Sequence, residues 1–339
     1  MALLIVLIAL LVAGMTAWGT LFLWLSNIPI APLRAAMAGV FAIGTLAAFV
    51  LLKRRWRTLL GFLAVFVVLV TWYYLIPPSN DRQWAPEVAL LPFATVNGNL
   101  VEIRNIRDFD YRTETDFTPR YYDKTFDLDK LQSTDLVSVH WGSPAIAHIF
   151  ASFGFAGDDF VAFSIEMRKE KDEAGSMLRS LFRKYELIYV VADERDVIRV
   201  RTNYRQPREQ VHIYRTRLPI EDQRKLFLSY VAKVDELSRS PEWYNTLDDN
   251  CTTGVLKRTH AYKGRAHYNW KVLLSGYAAE YGYELGMLDT SVPFDELRER
   301  CLVNARAELA DKADDFSSRI RDGIPLPEPY TLQEFESRP

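Results

Sequence analysis

Three long apolar runs open the chain, from Ala2 to Leu25, Ala35 to Leu52 and Leu59 to Leu75. Each is close to the roughly 17–25 residues that an α-helix needs to cross a bilayer. The first lacks the charged start and small-residue cleavage pattern of a signal peptide, and two more runs follow at once, so the pattern predicts three membrane-spanning helices. After residue 77 the pattern changes. Short apolar stretches alternate with polar ones, as in a domain with its own core.

Within that domain the periodicity predicts strands first and helices afterwards. A strand is expected over Leu100–Ile106. An aromatic-rich polar stretch, Arg107 to Lys130, carries few regular signals. Further strands are expected over Leu136–Trp141, Ile146–Phe155, Phe160–Arg168, Glu186–Ala192, Val197–Arg201 and Gln210–Arg215. Gly157-Asp158-Asp159 and Asp193-Glu194-Arg195-Asp196 punctuate them as turns. From Pro219 the spacing becomes helical: Leu226, Tyr230, Val234 and Leu237 recur every three or four residues. More helices are expected at about 251–262, 269–283 and 293–319. Strands followed by helices predict an α+β domain with a mostly antiparallel sheet. The chain then divides into a transmembrane anchor (1–77), one outer domain (78–323) and a Pro-rich C-terminal tail (324–339).

Charge gives the orientation. The first 78 residues contain no Asp or Glu, and their basic residues are Arg34, Lys53, Arg54, Arg55 and Arg57. The Lys53–Arg57 cluster between the second and third runs marks the cytoplasmic side. Everything after about Pro77 is then outside, which in a bacterium means a multi-pass inner-membrane protein with its C-terminal domain in the periplasm. Trp72, Tyr73 and Tyr74 close the third run like an interfacial aromatic belt. The whole chain has 41 Lys plus Arg against 43 Asp plus Glu, so the outer domain carries an excess of seven acidic residues. That balance argues against a nucleic-acid partner. No span carries an interior charge of the kind that marks transport.

The candidate chemistry centres on Cys251, in the run Asp248-Asp249-Asn250-Cys251-Thr252-Thr253-Gly254. A thiol at a helix start meets unpaired N–H groups and the positive end of the helix dipole, which favour the thiolate. Asn250 is a good N-cap residue, and Asp248 and Asp249 also suit capping. A base must come from His140, His148, His212, His260 or His267. His148 opens a strand and shares a face with Phe150 and Ser152. With the following turn centred on Asp158, His148 would oppose Arg168 and have Glu166 as a diagonal neighbour on its own face. Glu166 could then orient the imidazole as the third member of a nucleophile–base–orienter set. His140, near a strand end, is the second candidate for the base.

Other readings compete. Cys251 and Cys301 could form a disulfide in an oxidising compartment, which would remove the nucleophile. Cys251 could also be a small buried apolar residue. A zinc site from Cys251, His260 and His267 fits no familiar ligand spacing. Arg199, Arg201, Arg205 and Arg208 could meet lipid phosphates or form the solvated face of a strand and its loop. The sequence indicates no cofactor and no metal ligand set.

The runs Val101-Glu102-Ile103-Arg104-Asn105-Ile106-Arg107-Asp108-Phe109, Ala147-His148-Ile149-Phe150-Ala151-Ser152-Phe153-Gly154-Phe155, Glu186 to Arg195, Thr202-Asn203-Tyr204-Arg205 and Asn250-Cys251-Thr252-Thr253 together resemble the Lnb N-terminal periplasmic domain family, over about residues 95–280. The resemblance implies a permuted papain-like (NlpC-type) fold. In that fold a histidine on a strand precedes an Asn-Cys that opens a later helix, an order that His148 and Asn250-Cys251 match. It implies a Cys–His acyltransferase or hydrolase, with membrane lipid, lipoprotein or another cell-envelope molecule as substrate. The alternative is a binding or assembly module that keeps the fold without the chemistry.

Overall fold

In the computed structural model the described residues are 2–171, 173–247, 250–263 and 267–331, without the side chains of 259–263. Asp248, Asp249, the His260 side chain and residues 332–339 of the expected tail lie outside this set. Three helices, α1 (Ala2–Leu25), α2 (Ala31–Leu51) and α3 (Arg55–Leu75), are long and apolar enough to cross a membrane. Helix α2 starts four residues before the expected run because Pro32 fits its first turn, where a missing N–H costs nothing.

Among the described residues the outer domain contains ten strands: β1 (Phe93–Asn97), β2 (Leu100–Arg107), β3 (Asp110–Tyr111), β4 (Phe117–Thr118), β5 (Tyr121–Asp127), β6 (Leu131–His140), β7 (Ala147–Phe155), β8 (Asp159–Arg168), β9 (Glu186–Ala192) and β10 (Gln210–Arg215). The main sheet runs β1-β2-β9-β8-β7-β6-β10, with β5 also on β2. Its pairings are antiparallel except for a parallel contact between Arg107 and Ala192. The helices are α4 (Met177–Ser180), α5 (Glu194–Val197), α6 (Ile220–Arg239), α7 (Cys251–Lys263), α8 (Trp270–Leu273), α9 (Ala278–Glu284), α10 (Phe294–Cys301), α11 (Asn304–Leu309) and α12 (Phe316–Arg319). The domain is α+β, with a mixed sheet.

The sheet is buried on both faces. On one, Phe153, Phe163 and Tyr189 pack against Leu226, Phe227 and Tyr230 of α6. On the other, Val139, Phe150, Val190 and Ile213 meet Leu297, Cys301, Ala307 and Phe316 from the C-terminal helices. Double burial explains why β9 reads as an unbroken apolar run rather than an alternation.

The stretch from Arg107 to Lys130 is more regular than its composition suggested: it forms β3, β4 and β5. The expected strand at Val197–Arg201 is instead the end of α5 followed by a π-helical turn, Val200–Tyr204. Asp193 caps α5 by accepting from the Arg195 N–H, and Asp196 clamps Arg107 through two hydrogen bonds of 2.9 and 2.8 Å. These local bonds outcompete a strand ladder. The single helix expected at 269–283 is broken around Gly276. A Cβ there would sit 2.0 Å from the Pro144 carbonyl oxygen, so only glycine allows this backbone crossing.

The domain is seated on the end of α3. Arg183 donates to the carbonyls of Tyr73 (3.2 Å), Tyr74 (3.0 Å) and Ile76 (3.4 Å), and lies over both tyrosine rings. Carbonyls at a helix C-terminus lack partners within the helix, and a guanidinium meets both that need and the dipole. Tyr73 Oη donates to the Leu181 carbonyl, and Lys184 Nζ donates to Asn27 Oδ1.

Candidate active site

Helix α7 brings Cys251 to the sheet. Asn250 Oδ1 accepts from the N–H groups of Thr252 (2.8 Å) and Thr253 (2.9 Å), while the Asn250 N–H donates to Thr253 Oγ1. This reciprocal cap starts the helix at Cys251, as the propensity of Asn predicts. Gly254 lets the first turn lie directly on β8: a Cβ there would be 2.4 Å from Ile165 Cδ1 and 3.3 Å from Tyr189 Oη.

Strand β7 stays paired with β6 as far as Ala147, but its ladder with β8 ends at Ala151 and Phe163. The strands part beyond that point. Cys251 occupies the gap, where the Ile149 backbone and the His148 side chain both interact with its sulfur. The β7–β8 register pairs Ala151 with Phe163 and Ser152 with Ala162. The turn is therefore centred on Gly157 rather than Asp158, and Glu166, not Arg168, continues the register opposite His148. The shift is two residues, so Glu166 stays on the expected face.

His148 Nε2 lies 2.6 Å from Ser164 Oγ and 3.2 Å from Glu166 Oε1. Ser164 uses its one hydrogen on Glu166 Oε1 (2.8 Å), so its oxygen accepts from Nε2–H. That assigns the proton to Nε2 and leaves Nδ1 as the ring nitrogen available to the thiol. Arg201 Nη2 donates to the same Glu166 oxygen at 2.9 Å. Arg201 is 3 % exposed, so it is neither a solvated strand face nor free for a lipid phosphate. It is held by the Val197 carbonyl at 2.6 Å, and the Arg107–Asp196 clamp fixes the helix that carries Val197.

Electrostatics follow from these contacts. Burial disfavours a charged imidazole, but the Glu166 carboxylate and the Cys251 sulfur outweigh it and push His148 up to about 9. Burial would also raise the thiol, yet His148 outweighs it and holds Cys251 below its ordinary value. Burial would raise Glu166 too, and His148, Arg201 and Ser164 hold it well below the usual carboxylate range. All three shifts favour the charged form of the group.

A cavity of about 390 Å³ opens over Cys251 and His148, rimmed by Trp141, Met177 and Leu273. Tyr244 also lines it, and its hydroxyl interacts with the Cys251 backbone. Neither Tyr244 nor Ser164 was singled out from the sequence. Ser164 stands two residues from Glu166 on the same face, and strand alternation could have found it. Nothing local marks Tyr244.

His140 is not brought to Cys251. It bonds Ser138 Oγ at 2.9 Å and packs against His212 in a separate cavity. Cys251 and Cys301 are both free thiols, Cys251 packing on one core of the sheet and Cys301 in the other. Among the described residues no group of three or more His, Cys, Asp or Glu could hold a metal ion.

No curated protein and no solved structure matches the chain. Residues 117–277, a span that includes His148, Ser164, Glu166, Arg201, Tyr244 and Cys251, match the family model of the Lnb N-terminal periplasmic domain, the family that the sequence resembles.

Proposed function

We propose that the chain is a multi-pass inner-membrane enzyme whose permuted papain-like domain faces the periplasm and works as a thiol acyltransferase or hydrolase. One observation carries this reading: Cys251 faces an imidazole whose far nitrogen is fixed by Ser164, Glu166 and Arg201. In such an arrangement the Cys251 thiolate attacks an ester or amide carbonyl and an acyl-thioester forms. His148 then protonates the leaving group through Nδ1, while Glu166 keeps the ring oriented and supports its charge. The N–H groups of Thr252 and Thr253 are occupied by Asn250 and that of Cys251 by the Tyr244 oxygen, so stabilisation of the oxyanion falls to the hydrogen of the adjacent Tyr244 hydroxyl. An amine or water resolves the thioester, with His148 taking its proton.

The rim supports a lipid or lipoprotein substrate. Met177 and Leu273 are 60 % and 53 % exposed, and Met177 stands four residues before Leu181, which touches the end of α3. An apolar rim next to the anchor suits a substrate that stays in the membrane.

The test is incubation of the full chain in detergent micelles with a fluorescent acyl ester, followed by mass spectrometry of the Cys251 peptide. A covalent acyl group on Cys251 that is lost in His148→Ala is expected. An unmodified Cys251 alongside intact folding would overturn the reading and favour a binding module.

A further inference from the structure

A second cavity, of about 550 Å³, lies beside the first, with Trp141 forming part of the wall of both. Nothing in the proposed thiol chemistry uses it. Its wall includes Tyr214, whose polar group has no hydrogen-bond partner among the described residues. Tyr214 is 1 % exposed, and its hydroxyl makes no hydrogen bond among the described residues. The ring is held on both sides, stacked on His212 at 6.1 Å and on Phe294 at 6.3 Å. A buried hydroxyl left unpaired is destabilising, because its desolvation is not offset by a hydrogen bond. Such a cost is removed when a ligand supplies the acceptor.

The surrounding charges indicate which acceptor. Arg298 lines the same cavity as His140, His212 and Tyr214, and its charge acts on all three. It is half exposed, and its ion pair with Asp295 is long, at 3.7 Å. Burial first, then neighbouring positive charge, pushes His212 down to about 4 and lowers His140. The other charged groups in the wall largely have partners: Arg208 pairs with Glu308, and Glu280 with Lys271 at 2.9 Å, while Glu299 lies on the Arg298 helix. An anion would accept from Tyr214, pair with Arg298, and favour the protonated form of both imidazoles. We propose that this cavity binds a phosphate group. The volume exceeds what a lone carboxylate fills, and aromatic walls at Trp141 and Phe294 suit a larger body attached to the anion. Phosphate binding rests on these residues alone. That the phosphate belongs to the acyl substrate, reaching Cys251 past Trp141, rests on the thiol reading.

The test measures binding to the full chain in detergent micelles by calorimetry, using dioctanoyl phosphatidylglycerol, dioctanoylglycerol and inorganic phosphate. The wild type should bind the phospholipid and not the neutral diacylglycerol, more tightly at pH 5.5 than at 7.5. Arg298→Ala and Tyr214→Phe should each weaken binding by roughly tenfold, the loss of one charge-assisted hydrogen bond. Tyr214→Phe without ligand should melt no lower than wild type, which separates lost binding from lost folding. Phospholipid binding far above inorganic phosphate assigns the site to a headgroup, and equal binding assigns it to phosphate itself. Cys251→Ala should bind like wild type, so the phosphate site and the thiol chemistry fail or stand separately. Equal binding of phospholipid and diacylglycerol, binding untouched by both substitutions, or no binding of either phosphate probe would overturn the proposal.

Discussion

Gly254→Ala is the sharpest perturbation of the way α7 meets the sheet. The added methyl would lie 2.4 Å from Ile165 Cδ1, more than 1 Å inside an ordinary carbon–carbon contact. Ile165 is 1 % exposed and has little room to move. Overpacking of this kind costs about 1–3 kcal/mol. Replacing a helical glycine by alanine returns about 1 kcal/mol. The net loss is then about 1 kcal/mol, a fall of roughly 2–4 °C in melting temperature. The larger effect is on geometry, because the clash lifts the first turn and Cys251 with it, away from His148. Alkylation of Cys251 by iodoacetamide at neutral pH should slow several-fold. Ile165→Val deletes the atom that clashes, at its own cost of about 0.5–1.5 kcal/mol. In the double variant the alanine methyl occupies the vacated space, so stability and alkylation rate should both recover towards wild type, with a coupling of at least about 1 kcal/mol. Strict additivity of the two changes, in stability or in rate, would refute this account of the α7–β8 contact.

Other expectations follow from the same contacts. The alkylation rate of wild type should rise with pH about a midpoint below that of a free cysteine, because His148 holds the thiol down. In His148→Ala the midpoint should move up towards that of a free cysteine, about 8.5, and an unchanged profile would show that the imidazole does not hold the thiolate. Glu166→Gln keeps the shape but removes the charge. It should lower the His148 value from about 9, as followed by NMR of the ring, and slow alkylation at neutral pH. Glu186, 1 % exposed and pushed up to about 7 mainly by burial despite its pair with Arg82, binds its proton more tightly folded than unfolded. Its contribution to stability is present below about pH 4.5 and lost as pH rises through 7, so Glu186→Gln should flatten that part of a melting-temperature profile.

The anchor and the strand-then-helix order were readable because their signals are local: apolar length, two-residue alternation and recurrence every three or four residues. His148, Asn250 and Cys251 came from motif order and capping propensity. Glu166 was found with the wrong register, and it stayed on the right face because an error of two residues preserves parity, where an error of one would have turned it away. Arg201 was misread because its burial depends on a non-local clamp: Arg107 and Asp196 meet from 89 positions apart, and only then does the π turn aim Arg201 at Glu166. The breaks in the long C-terminal helical stretches were hidden for a similar reason. Gly276 interrupts its helix where another segment crosses it, and a helical spacing cannot report that crossing.

The grip of Arg183 on the last carbonyls of α3 also turns the protein into a depth gauge. A domain on a slack tether would sample a hemisphere above the membrane. One bolted to a helix end by three carbonyls and two tyrosine rings keeps the mouth of its Cys251 cavity at a single height. Its search is then a lateral one, over molecules diffusing in the same plane. Under the thiol chemistry proposed for Cys251, selection among them is by altitude as much as by shape: a reactive carbonyl held at that level is presented again and again, and the same group buried deeper or carried higher goes past unread.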